Sequence, residues 1–382
     1  MKKILALVLA IFMISCVFTS CTTEDTNHKL DENQSEEEKS EKQTEKPTAN
    51  STDASIDNGE NNEETNKENN EENNENNEQK PAETYSRDEK KIVFGSYPQS
   101  EVKDPSLLAT LNAKTGDLPT RENAQAWTSY EYYINGKVEN FMWYIDIVNE
   151  NDKYRGVYFT SFRPQSTESH SENYIQQLYG YDINTVYWFK YEPISWTILS
   201  EDSSEGTALI LCDMIVDSQA YHISSETRII NGVTVYPSNY AHSTIRTWLN
   251  TVFYETAFND LQKQIILSTT IDNSEISTGY PPNEYACEDT NDKIFLLSTV
   301  EANNSDYGLN DTTRQKKATD YAKVQGVAMS YEEDYNGNGW WGLRSPALPR
   351  DTIGIYFSGQ ILGGDVYRTF KGVLPALQIK LI

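Results

Sequence analysis

The side chains best suited to chemistry lie in one short run near the C-terminus. Asp334, Asn336, Asn338 and Gly339 follow one another at alternate positions and lead into the pair Trp340 and Trp341. Carboxylate and amide oxygens at this spacing, closed by a glycine, are the first half of a calcium loop, because hard oxygens suit the ion and glycine permits the turn. The twelfth position of such a loop calls for a bidentate glutamate, and Ser345 stands there, so a full EF-hand is excluded. Two readings are left. Glu332 or Glu333 completes a partial calcium site, or the segment is a plain Asn-Gly turn entering a tryptophan strand. Asp334, Asn336, Asn338, Trp340 and Trp341 are therefore the expected binding set, the first three are the metal candidates, and no other cofactor is implied.

No catalytic constellation accompanies them. The histidines are His28, His170, His222 and His242, and no two stand at the helical spacing of a metal pair. His242 precedes a helical pattern, where a capping or surface role competes with a place in a pocket. No nucleophile elbow or phosphate-cradling loop occurs. Cys212 and Cys287 belong to no C-x-x-C pair, and the apolar run around Cys212 suits a buried, inert thiol. The formal net charge of −26, with no basic stripe, argues against nucleic-acid partners.

These residues sit on a chain of three parts. Met1-Lys2-Lys3 followed by an apolar run over residues 4–18 has the make-up of an export leader and is short for a membrane span. The run ends at Phe18-Thr19-Ser20-Cys21, which resembles a bacterial lipobox, so residues 1–20 are expected to be removed and Cys21 lipidated, anchoring the protein to the outer face of the cell membrane. Cys16 is a weaker candidate, and simple cleavage near Ser20 is the alternative. Residues 21–90 are rich in Glu, Asn, Thr and Lys and carry roughly half of the net charge; a segment so poor in apolar side chains is expected to stay disordered, an acidic tether.

Residues 91–382 read as one globular α+β body. Extended runs are expected at 92–94, 130–134, 141–148, 154–159, 187–191, 194–199 and 208–212, with a hairpin across 149–153. Ser243 caps a helix running to about 258 that carries Arg246 and Trp248, and residues 298–301 have capping-box spacing. Residues 293–297 are expected to form a buried strand, 313–325 a helix, and 340–343, 352–357, 366–369 and 372–382 the closing strands. Residues 100–190, dense in tyrosine, read as an elaboration on a smaller scaffold. Aromatic residues exposed between Tyr130 and Tyr133 would be the informative ones for recognition. Trp196, Arg246, Trp248, Trp340, Trp341, Arg344 and Pro375 are expected to form the structural core.

Several of these motifs occur together elsewhere. Residues 92–99, Pro193-Ile194-Ser195-Trp196, residues 239–250, the Trp-Trp-Leu-Arg-Ser-Pro signature at 340–346 and the Gly-Val-Leu-Pro-Ala-Leu stretch at 372–377 resemble the bacterial family called domain of unknown function 6273. The resemblance implies an exported or surface protein with no established activity. This chain departs from the pattern twice, with Gly342 inserted after Trp341 and Leu374 where arginine is usual. The order of elements, a helix with a Trp-Leu pair and much later a Trp-rich strand and a closing strand, is similar to the C-type-lectin-like and formylglycine-generating-enzyme-like fold. The enzymes of that group work through C-terminal cysteines, and here no cysteine follows Cys287. The expected function is a lipid-anchored surface module that binds a glycan or a protein without catalysis. The alternatives are an exported enzyme acting on cell-wall or host polymers and a structural part of an envelope complex.

Overall fold

The computed structural model describes residues 84–172 and 174–382, with the side chains of 170–174 left aside. The leader, Cys21, His28 and the acidic stretch before residue 84 lie outside the described residues. The described body is β-rich with few helices, and among its helices none is long and apolar enough to cross a membrane.

One strand ties the body together. Val186–Asp202 absorbs both extended runs expected from the sequence, and its length lets it serve three neighbours. Lys91–Glu101 pairs along one edge, while the other edge is shared between Asp152–Phe159 at residues 186–190 and Thr207–Cys212 at residues 196–202. The expected hairpin extends the sheet, with Met142–Asn149 in register with Asp152–Phe159 from Met142 opposite Phe159 to Asn149 opposite Asp152. Ala376–Lys380 closes it beyond Thr207–Cys212. Ordered chain starts earlier than residue 91, because Ser86–Asp88 folds back on Lys91–Val93 and the Tyr85 hydroxyl bonds to Ile382.

Alternation explains which face is inside. In Lys91–Glu101, Ile92, Phe94 and Tyr97 are buried, and Trp196 from the neighbouring strand sends its Nε1–H to the Phe94 carbonyl at 2.7 Å. Gly95 has φ +76, and a Cβ there would meet the Phe258 ring at 2.6 Å, so the end of the Trp248 helix can lie directly on the strand.

That helix is continuous from residue 244 to 257 but not uniform. Ser243 caps it, accepting from Arg246 N, and a π-turn at Leu249–Phe253 separates Thr244–Trp248 from Tyr254–Ala257. A second sheet runs in the order Asp217–Ser218, Gly372–Val373, Trp341–Leu348, Asp351–Ile355, Ile361–Asp365.

Three element expectations are corrected by tertiary contacts. Within 313–325 only Asp320–Val324 is helical, since the Arg314 guanidinium is drawn to Gly359 O, Ala302 O and Asp311, and the Arg314 carbonyl accepts from Trp341 Nε1. Residues 293–297 make only one bridge, Phe295 with Ala376, while the strand is Thr290–Asp292, paired with Thr269–Ile271. Residues 366–369 form a turn rather than a strand.

Candidate functional site

The C-terminal run divides in space. Asp334 and Asn336 are exposed, in and just after a single 3-10 turn at Glu333–Tyr335, whereas Asn338 is buried and donates its amide to Phe357 O at 3.1 Å and Gln315 Oε1 at 3.2 Å. Trp341 is wholly buried and Trp340 nearly so, packed on Tyr356 and Phe370. The two tryptophans therefore cannot offer their faces to a ligand, and the binding set read from the sequence does not form one surface. Among the described residues no group of three or more His, Cys, Asp or Glu is placed to hold a metal.

Arg344 explains the motif's architecture. It is 2% exposed, and its guanidinium grips Glu301 end-on, Nη1 to Oε2 at 2.5 Å and Nη2 to Oε1 at 3.1 Å. Its remaining donors reach Leu296 O, Asp272 O and Asn273 Oδ1. Glu301 is the same residue that closes the capping box on Ser298. Leu374, standing where the family usually has arginine, is fully buried in the main core. Trp196 and Pro375 are likewise buried, while Arg246 is half-buried and paired with Asp292 at 2.7 Å. Trp248, like Arg246, departs from the expected core in being only partly buried.

Trp248 instead faces a recess of about 160 Å³. One wall is the short hairpin of Tyr132–Ile134 with Lys137–Glu139, which brings Tyr130, Tyr132 and Tyr133 to the site. Opposite it, Thr244, Ile245 and Trp248 come from one helix face, since positions i, i+1 and i+4 lie side by side. The π-turn begins directly after Trp248, a placement often met beside functional sites. Arg163 and the strand residues Pro164 and Ser166 form the floor with Thr167. Tyr130 and Tyr132 stack at 5.9 Å, and the Arg163 guanidinium lies over the Tyr132 ring at 4.3 Å.

The recess is held rigidly from behind. The Tyr132 hydroxyl donates to Gln325 Oε1 at 2.6 Å, the Tyr130 hydroxyl shares a 2.8 Å hydrogen bond with that of Tyr321, and Arg163 Nη1 donates to Ser218 O and Gln325 O. Gln176, fully buried, accepts from Arg163 N and donates to Val324 O. Burial pushes the Tyr130 and Tyr132 hydroxyls well above their ordinary range, so both stay protonated. Burial likewise raises the pKa of Asp217, whose carboxylate accepts from Tyr97 OH, Ser218 N and Gln219 Nε2.

His222 adjoins the recess from behind. Its Nδ1 accepts from Thr244 N at 3.3 Å, and burial lowers its pKa to about 4. His242 is half-exposed, 3.5 Å from Glu288. Cys212 and Cys287 are both free, with burial raising the Cys212 thiol to about 12.

A second titratable group lies in the other sheet. Lys371, 2% exposed, donates to Gly364 O at 2.5 Å and Thr352 Oγ1 at 3.2 Å, and burial lowers its amine to about 8. Burial, with the Asp365 carboxylate opposite, raises Asp351 to about 6.

The recess thus offers aromatic faces, one guanidinium and the Thr167 hydroxyl. The sequence pointed to residues 130–133 but gave no sign of Arg163, because its neighbours come from segments up to 162 residues away.

Residues 205–381 match the model of the Domain of unknown function (DUF6273) family. The match begins after the Tyr-rich segment, so the helix face and Thr369 come from the family domain while the tyrosine wall and Arg163 come from outside it. No curated protein and no solved structure matches the chain.

Proposed function

We propose that the protein is a lipid-anchored, outward-facing binding module that holds a glycan in the recess between Trp248 and Tyr130, Tyr132 and Tyr133. The observation that carries this reading is the aromatic lining: flat rings stack on the C–H faces of sugars. An apolar recess with a few fixed polar groups is the usual form of a small-ligand site. In this reading Cys21 carries the lipid, residues 21–90 lift the body from the membrane, and the scaffold is C-type-lectin-like, supported by the order of the Trp248 helix, the Trp341 strand and the closing strand Ala376–Lys380.

The test is a glycan array probed with the full-length protein in detergent, beside its Trp248→Ala and Tyr133→Ala variants. Both residues are partly exposed, so both variants should keep the wild-type melting temperature within a few degrees and lose at least about tenfold in binding. A blank array from the folded protein would overturn the reading.

A further inference from the structure

Four arginines are buried in this body, Arg155, Arg163, Arg314 and Arg344, each 6% exposed or less. Three of them have a carboxylate: Arg155 pairs with Asp146, Arg314 with Asp311 and Arg344 with Glu301. Arg163 makes no such pair among the described residues. Burying a charge without a counter-ion is costly, and structural arginines avoid it by pairing.

The free part of Arg163 has a definite shape. Nη1 is consumed by the carbonyls of Ser218 and Gln325, neither of which lines the recess. Nε is buried with no partner. Arg155 shows what such an edge accepts, since its Nε and Nη2 hold the two oxygens of Asp146 side-on, each at 2.8 Å. The Thr167 hydroxyl, also lining the recess, is likewise buried without a partner. A planar two-oxygen anion meets both needs at once, because the guanidinium fork matches carboxylate geometry. Asp217 interacts with Arg163 through space, but it lies beyond ion-pair distance and its oxygens are held by three other donors, so it leaves the Nε edge without an acceptor. Glu131 lines the recess but is exposed.

Resting on the glycan reading, we propose that the ligand is an acidic sugar, one ring with its carboxylate on Arg163 and Thr167 and its C–H face on the tyrosines and Trp248. In size, a closed apolar cavity of about 150 Å³ holds benzene, so this recess of about 160 Å³ takes one sugar ring with its other substituents turned out to solvent. The anion also explains how a strongly acidic protein binds an acidic ligand, since Arg163 is shielded from the surface charge by burial.

The experiment compares matched ligands by calorimetry on the full-length protein: the methyl uronides of glucose, galactose and mannose, the parent methyl glycosides, and the uronides as neutral methyl esters. At least one uronide should bind about tenfold or more tightly than both its parent glycoside and its ester. Arg163→Gln should reduce that ratio to about one. Tyr133→Ala should weaken uronide and glycoside alike. The ester comparison uses the unaltered protein, so it stands if Arg163→Gln fails to fold. Equal affinity for uronide, ester and glycoside would overturn the role of Arg163 and leave glycan binding intact. Absence of binding by every sugar, with a blank glycan array, would overturn both.

Discussion

Arg344 and Arg163 are equally buried, yet one is closed and the other open. Arg344 spends its donors on Glu301 and on three further oxygens inside the fold. Arg163 spends one nitrogen on two carbonyls and leaves its Nε without a partner. The comparison teaches that burial alone does not separate architecture from function. What separates them is whether the protein itself satisfies the charge.

The largest effect should come from the closed site. Arg344→Ala strands the Glu301 carboxylate and three acceptor groups, and should cost about 3–5 kcal/mol in urea unfolding. Arg163→Met removes donors from two carbonyls and the guanidinium from the Tyr132 ring but breaks no ion pair, so about 1–3 kcal/mol is expected. If Arg163→Met cost as much as Arg344→Ala, the contrast between the two arginines would collapse.

Acidity provides a finer test of the two regions. His222, behind the recess, has its folded pKa lowered to about 4 by burial, below the ordinary 6.5. Its contribution is therefore fully present above pH 6.5 and is lost as pH falls toward 4. Thermal melts should show the wild type losing stability over this window relative to His222→Gln, whose amide oxygen can still accept from Thr244 N. A parallel pair of curves would refute it.

The smallest effect has the opposite sign and belongs to the sheet that carries Arg344. Asp351 is raised to about 6 from 3.8, by burial and by the facing Asp365. Its contribution is present below pH 3.8 and is lost as pH rises through 6. Asp351→Asn should remove this decline, seen as a flatter melting temperature between about pH 4 and 6. An unchanged slope would mean that neither burial nor Asp365 raises Asp351 in the folded protein.

Much of this was legible from the chain. The hairpin at 149–153, the capping box at Ser298 and Glu301, the cap at Ser243 and the burial of Trp196, Trp341 and Arg344 follow from local rules, because capping and alternation act over a few residues. The same rules failed at 313–325, where Arg314 and Trp341 pull the chain into contacts that outweigh helix propensity. They failed again at Trp248, whose helical spacing marks a buried face without saying that a recess opens over part of it.

By itself, then, the sequence determined many of the strands, the caps and turns, and the resemblance that residues 205–381 bear out, since these depend on neighbours along the chain, while the mixed α+β body it suggested proves mostly sheet. The tertiary structure alone decided which arginine is satisfied. Glu301 reaches Arg344 across 43 residues and Asp146 reaches Arg155 across 9, while no described carboxylate comes within ion-pair distance of Arg163. Charge pairing falls off over a few ångströms of space, and distance along the chain does not measure it.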